Sequence, residues 1–66
     1  MKARQVKRAL VRGGMVRLTL SDPAKPNASA AVTILTDTDQ YRLVQKGLRR
    51  IDPKRRLRRS WERVWY

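Results

Sequence analysis

Five basic residues crowd into six positions at Lys54–Arg59 (KRRLRR), and Arg49 and Arg50 stand just before them. Guanidinium forks match phosphate oxygens two at a time and stack on bases. A Lys/Arg block of this density is the footprint of a phosphate-binding surface. Each phosphate neutralised releases counterions, so such binding weakens steeply with salt. Arg63 extends the block, and Lys2, Arg4, Lys7 and Arg8 form a second basic stretch at the other end. These twelve residues are the candidate nucleic-acid contacts: Arg49, Arg50, Lys54, Arg55, Arg56, Arg58, Arg59, Arg63, Lys2, Arg4, Lys7 and Arg8.

Other chemistry is scarce. The chain has no Cys and no His. That removes thiol nucleophiles, imidazole bases and the commonest soft-metal ligands. Of the acids, only Asp37 and Asp39 lie close together. A pair at that spacing could hold a divalent cation, but Asp is a favoured cap and turn residue, and that role is expected. No enzyme activity, catalytic residue, metal or cofactor is expected. Trp61, Trp65 and Tyr66 follow the basic block and could stack on unpaired bases. For Trp61 and Trp65, packing into the core is the expected role.

The 66 residues carry a formal charge of +12. Its distribution is uneven: +6 over residues 1–17, −2 over 18–41 and +8 over 42–66. A near-neutral, Ala/Val/Thr/Leu/Ile-rich middle lies between two cationic ends, as in a folded centre with charged flanks. One domain is all this length allows. A chain this short buries only about 60% of its unfolded surface, so it is marginally stable alone. Without disulfides or thiolate metal sites, self-association or an anionic partner must help. No apolar run approaches the roughly 20 residues of a membrane span. The N-terminus lacks the apolar stretch of a secretory signal. A location in the cytoplasm, or inside a virion, is expected.

The elements that would position these residues can be read coarsely. MVRLTL (15–20) alternates and predicts a strand. AVTILT (31–36) predicts a second strand, antiparallel to the first. SDPAKPNASA (21–30) predicts the loop between them. QVKRALVR (5–12) meets Gly13-Gly14 and then the first strand, which predicts a β-hairpin with Val11 opposite Val16 and Ala9 opposite Leu18. Its rival is a helix ending at Gly13, since Ala3, Val6 and Leu10 have helical spacing. Asp37 followed by Gln40 resembles a capping box. Tyr41, Val44, Leu48 and Ile51 then make a helical stripe. A further hairpin, with 37–39 as its turn, is the alternative there. Asp52-Pro53 suits a second helix start, cap then first position. That helix would run from 53 to about 65 with Leu57, Trp61, Val64 and Trp65 on one side.

The expected architecture is therefore α+β: a small antiparallel sheet, hairpin plus one strand, followed by one or two basic C-terminal helices. It forms a single domain over 1–66, with a flexible basic arm at 1–8 and a basic aromatic helix at 52–66. The expected function is binding of RNA or DNA through backbone phosphates with little base readout. Settings of that kind are a ribonucleoprotein such as a ribosome, or a phage or bacterial DNA-binding protein, as a homo-oligomer or within a larger assembly. The alternative is an inhibitor or assembly factor that grips an acidic protein. A cationic helix with Trp on its apolar side would also suit a membrane surface. The shortage of aliphatic residues in 53–66 argues against that. The aromatic RNP motif, zinc-finger spacing and Gly-rich KH loop are missing from the sequence.

Overall fold

The computed structural model describes residues 1–65; the side chain of Trp65 and the whole of Tyr66 lie outside the described residues. The element order is α1 (Ala3–Val11), β1 (Met15–Ser21), β2 (Ala31–Leu35), α2 (Thr38–Ile51) and β3 (Arg58–Trp65). The strands form one antiparallel sheet in the order β2-β1-β3. The fold is thus α+β with a three-stranded antiparallel sheet, as expected. The helices do not follow the sheet, however; they flank and interrupt it.

The first two strands fall where alternation put them. β1 pairs with β2 in the register Val16↔Leu35, Leu18↔Thr33 and Leu20↔Ala31. Val16, Leu18 and Leu35 are buried on one sheet face. Arg17, Thr19, Val32 and Ile34 alternate onto the other face. Ile34 and Val32 remain 44% and 57% exposed there.

The hairpin predicted for residues 5–12 is a helix instead. Val6, Ala9 and Leu10 lie at helical spacing and are all buried, while Val11 is 70% exposed. The Gly13-Gly14 pair closes this helix rather than turning a hairpin. Gly13 N–H donates to the Leu10 carbonyl and Gly14 N–H to the Ala9 carbonyl, each at 3.0 Å. That double bond pattern needs a left-handed residue after the helix, which Gly13 supplies at φ 85°. The stretch 1–8, expected as a flexible arm, therefore carries much of a docked helix with Val6 fully buried.

The reason lies at the other end of the chain. β1 has two edges, and the second is filled by β3 in the register Arg17↔Glu62, Leu18↔Trp61 and Leu20↔Arg59. The C-terminal helix predicted for 53–65 is thus a strand preceded by a loop. Asp52-Pro53 ends α2 instead of starting another helix. The residue before a proline is pushed out of the helical region, and Asp52 sits at φ −139°, ψ 61°. Proline just beyond a helix end is common, because it cannot continue the helix.

Helix α2 starts as its sequence indicated. The Asp37 carboxylate accepts from Gln40 N–H at 2.8 Å, and Gln40 Oε1 accepts from Thr36 N–H at 2.7 Å. The reciprocal bond reaches one residue further back than in a standard capping box. Asp37 is therefore a helix cap. Of the predicted apolar stripe, Leu48 is buried and Tyr41 and Val44 are packed against the core. Ile51, at the last turn, is 70% exposed.

Both helices pack on one side of the sheet. The core joins Val6, Ala9 and Leu10 of α1, Leu48 of α2, and Val16, Leu18, Leu35 and Trp61 of the sheet. Trp61 is buried, in the core role expected of it, and meets Tyr41 edge-on with ring centroids 5.6 Å apart. Tyr41 Oη also reaches the Ala3 carbonyl at 3.5 Å, the long limit of a hydrogen bond. No helix among the described residues is long and apolar enough to cross a membrane.

Candidate nucleic-acid interface

The strand identity of residues 58–65 splits the basic block. Alternation along β3 sends Arg59, Trp61 and Arg63 toward the helices, and Arg58, Ser60 and Glu62 toward the open sheet face. On that open face Glu62 is paired with Arg17, its cross-strand neighbour. On the helical side cationic side chains gather around three clefts.

The first cleft, about 420 Å³, lies between the end of α2 and the start of β3 and is lined by Gln45, Arg49, Asp52, Pro53, Arg55 and Arg59. The second, about 380 Å³, lies along α1 and α2 and is lined by Lys7, Thr38, Tyr41, Arg42, Gln45 and Arg49. They share Gln45 and Arg49, so they are neighbours on one surface. A third, about 270 Å³, is formed by Gln5, Arg8, Ala9 and Arg12 of the α1 segment with Arg63 of β3. Together the clefts gather Lys7, Arg8, Arg12, Arg42, Arg49, Arg55, Arg59 and Arg63. Among the described residues, Asp52 is the one acid lining them.

Asp52 organises the first cleft. Its carboxylate is 6% exposed and accepts from Arg56 N–H at 2.8 Å, Leu57 N–H at 3.0 Å and Arg59 Nη2 at 3.2 Å. These bonds hold the turn from α2 into β3. Burial pushes the Asp52 carboxyl up, but the Leu57 and Arg56 amides, with the Arg59 guanidinium, outweigh it and leave it below its ordinary 3.8. A carboxylate held low stabilises the fold above its unfolded value and loses that contribution as pH falls through the folded value. The thermal midpoint is therefore expected to drop below about pH 3.8 as this turn loosens. Asp52→Asn should start lower at neutral pH and show a smaller acid-dependent fall. Melting both proteins across pH 2–7 checks this. Parallel curves would mean that Asp52 does not govern the acid limb.

The twelve sequence-derived candidates are not brought to one place. Arg49, Arg55 and Arg59 meet at the first cleft, Lys7 lies in the second, and Arg8 and Arg63 lie in the third. Arg50 sits on another part of α2, beside Leu43, Lys46 and Gly47. Arg56 stands near Asp22, Pro23 and Ala24 of the β1–β2 loop. Lys2, Arg4, Lys54 and Arg58 are exposed and line none of these clefts. Polar residues of the clefts that the sequence reading missed include Arg12, Arg42 and Gln45. For the last two a signal existed. Thr38, Arg42, Gln45 and Arg49 recur at i, i+4, i+7 and i+11, a polar stripe beside the apolar one.

No family, curated protein or solved structure matches this chain.

Proposed function

We propose that this protein binds nucleic acid through backbone phosphates, using the helical side of its sheet, and performs no catalysis. The observation that carries this reading is the gathering of eight cationic side chains around three clefts, two of them adjoining, with one internally bonded carboxylate among the described residues that line them. Charge placed only for solubility would be expected to intersperse both signs. Arginine dominates the set, which suits phosphate recognition more than a bare point charge does. Trp61 is spent on the core, so base stacking by that ring has no part in the mechanism. Affinity then comes from phosphate contacts, which position the protein and carry little sequence information. An anionic partner also offsets the self-repulsion of a +12 chain. A ribonucleoprotein particle, or the DNA of a phage or bacterium, is a setting of this kind, within a cell or a virion.

The test is binding of the purified protein to double-stranded DNA, single-stranded DNA and structured RNA over a salt series. Binding of at least one at physiological salt is expected, with log K falling linearly against log salt. A slope of about −0.9 per phosphate contacted is expected on duplex DNA, or about −0.7 on single strands. Loss of all binding at physiological salt would overturn the proposal and point instead to an acidic protein partner.

A further inference from the structure

The first cleft holds an incomplete pairing at its floor. Asp52 offers two oxygens to three donors: Oδ1 takes Arg56 N–H, while Oδ2 takes Leu57 N–H and Arg59 Nη2. Arg59 is left half served. Its side chain is 14% exposed, and its Nε is buried with no partner among the described residues. An unmade hydrogen bond on a buried charged group is costly, and buried polar groups ordinarily find an acceptor.

Two more arginines line the same cleft. Neither Arg49 nor Arg55 is ion-paired among the described residues. Arg55 sits at φ 54°, a left-handed conformation that residues with a side chain rarely adopt. Glycine would suit that backbone better. The chain instead places a guanidinium there, beside Arg49 and Arg59.

From this geometry we infer that the Arg49–Arg55–Arg59 cleft seats one phosphate group of a nucleic-acid backbone. The inference rests on the proposed nucleic-acid reading and gives it a specific position. Because Arg59 Nε is covered, seating requires the guanidinium to turn outward from Asp52. Asp52 keeps its two backbone N–H donors when that happens, so the turn need not collapse. The phosphate gains the Arg59 fork and two flanking guanidinium groups, a charge-assisted and directional set.

Inorganic phosphate is the probe, added at constant ionic strength against chloride and followed by the arginine Nε–H signals in nitrogen-15 NMR. The Arg59 signal is expected to shift and saturate, while arginines outside the cleft, such as Arg58, move little. Arg55→Gly, which removes a guanidinium and suits the local backbone, should weaken the phosphate affinity by about tenfold. Arg59→Lys, which keeps the charge and loses the fork, should weaken it in the same direction. Small, unsaturated shifts shared by all exposed arginines would overturn the inference, as would an Arg55→Gly curve equal to that of the parent. A short DNA duplex is the second ligand. If phosphate saturates the cleft but the duplex leaves Arg59 Nε–H unmoved, the cleft is a free-anion site and the backbone assignment falls. If the duplex binds parent and Arg55→Gly equally at every salt concentration, the broad function stands and this cleft has no part in it. If no nucleic acid binds at physiological salt, the broad function itself fails.

Discussion

Replacing Arg42, Arg49 and Arg55 together with Ala is expected to weaken nucleic-acid binding on the order of a hundredfold at physiological salt, and to flatten the salt slope by about 2–3 on duplex DNA. All three side chains are exposed and line the two adjoining clefts. Surface changes of this kind alter stability by only about 0.5 kcal/mol each, so lost binding would not reflect lost folding. The informative control removes the same charge elsewhere. Lys2, Arg4 and Arg58 are equally basic in the sequence but line none of the clefts. Changing those three to Ala should flatten the slope much less. Equal losses in both triple variants would mean that charge acts diffusely, and that the helical side is not the interface.

Trp61→Ala is expected to leave the chain largely unfolded at 37 °C. Truncating a buried Trp costs about 3–5 kcal/mol. A domain of this length has only about 3–10 kcal/mol to lose. Trp61 is 7% exposed, faces Leu18 across the sheet and packs edge-on against Tyr41. Its removal opens the layer where the sheet meets α2. Val64→Ala is the companion variant, because Val64 is 44% exposed. Its cost should stay within about 0.5 kcal/mol. The pair separates strand from helix for the C-terminal segment. On a helix from 53 to 65, Trp61 and Val64 would share the buried stripe and both changes would hurt. Circular-dichroism melting of the two variants reads the difference. A large loss from Val64→Ala would contradict the strand.

The parts of the fold legible in the sequence are those where a local signal had one reading. MVRLTL alternates over enough residues to exclude a helix, and AVTIL is β-branched and apolar; both are strands. Asp37 and Gln40 at cap spacing mark the start of α2, and the Tyr41–Val44–Leu48 periodicity continues it. The misread parts had two local solutions each. Gly13-Gly14 serves a hairpin turn or a helix end equally well. Asp52-Pro53 suits a helix start by its capping residue and a helix stop by its proline. RRSWERVW places Trp61 and Val64 at helical spacing, yet its Arg59–Trp61–Arg63 alternation also fits a strand.

The same ambiguity governed the candidate site. Read as a helix, residues 53–65 would distribute their cations around one cylinder. As a loop and strand, they divide: Arg55, Arg59 and Arg63 join the helical side, while Arg58 goes to the opposite face. Arg42 stayed hidden because charge density singled out dense blocks; Gln45 and Arg49 share its stripe on α2 itself, while Lys7 is brought to it by packing α1 beside α2.

What the sequence alone determined is the net charge of +12, its arginine character, the lack of Cys and His, two strands and one capped helix. Those follow from side-chain chemistry and from interactions a few residues long. The tertiary structure alone decided which segment fills the second edge of β1, and hence which cations share a surface. A central strand must satisfy its backbone donors and acceptors on both sides. Two distant segments, 5–12 and 58–65, could each be drawn as its partner. Burial of Val6, Ala9 and Leu10 beneath the sheet and of Trp61 within it resolves that competition. Both outcomes depend on contacts about forty residues apart, such as Leu18 with Trp61 and Ala3 with Tyr41, which no local pattern encodes.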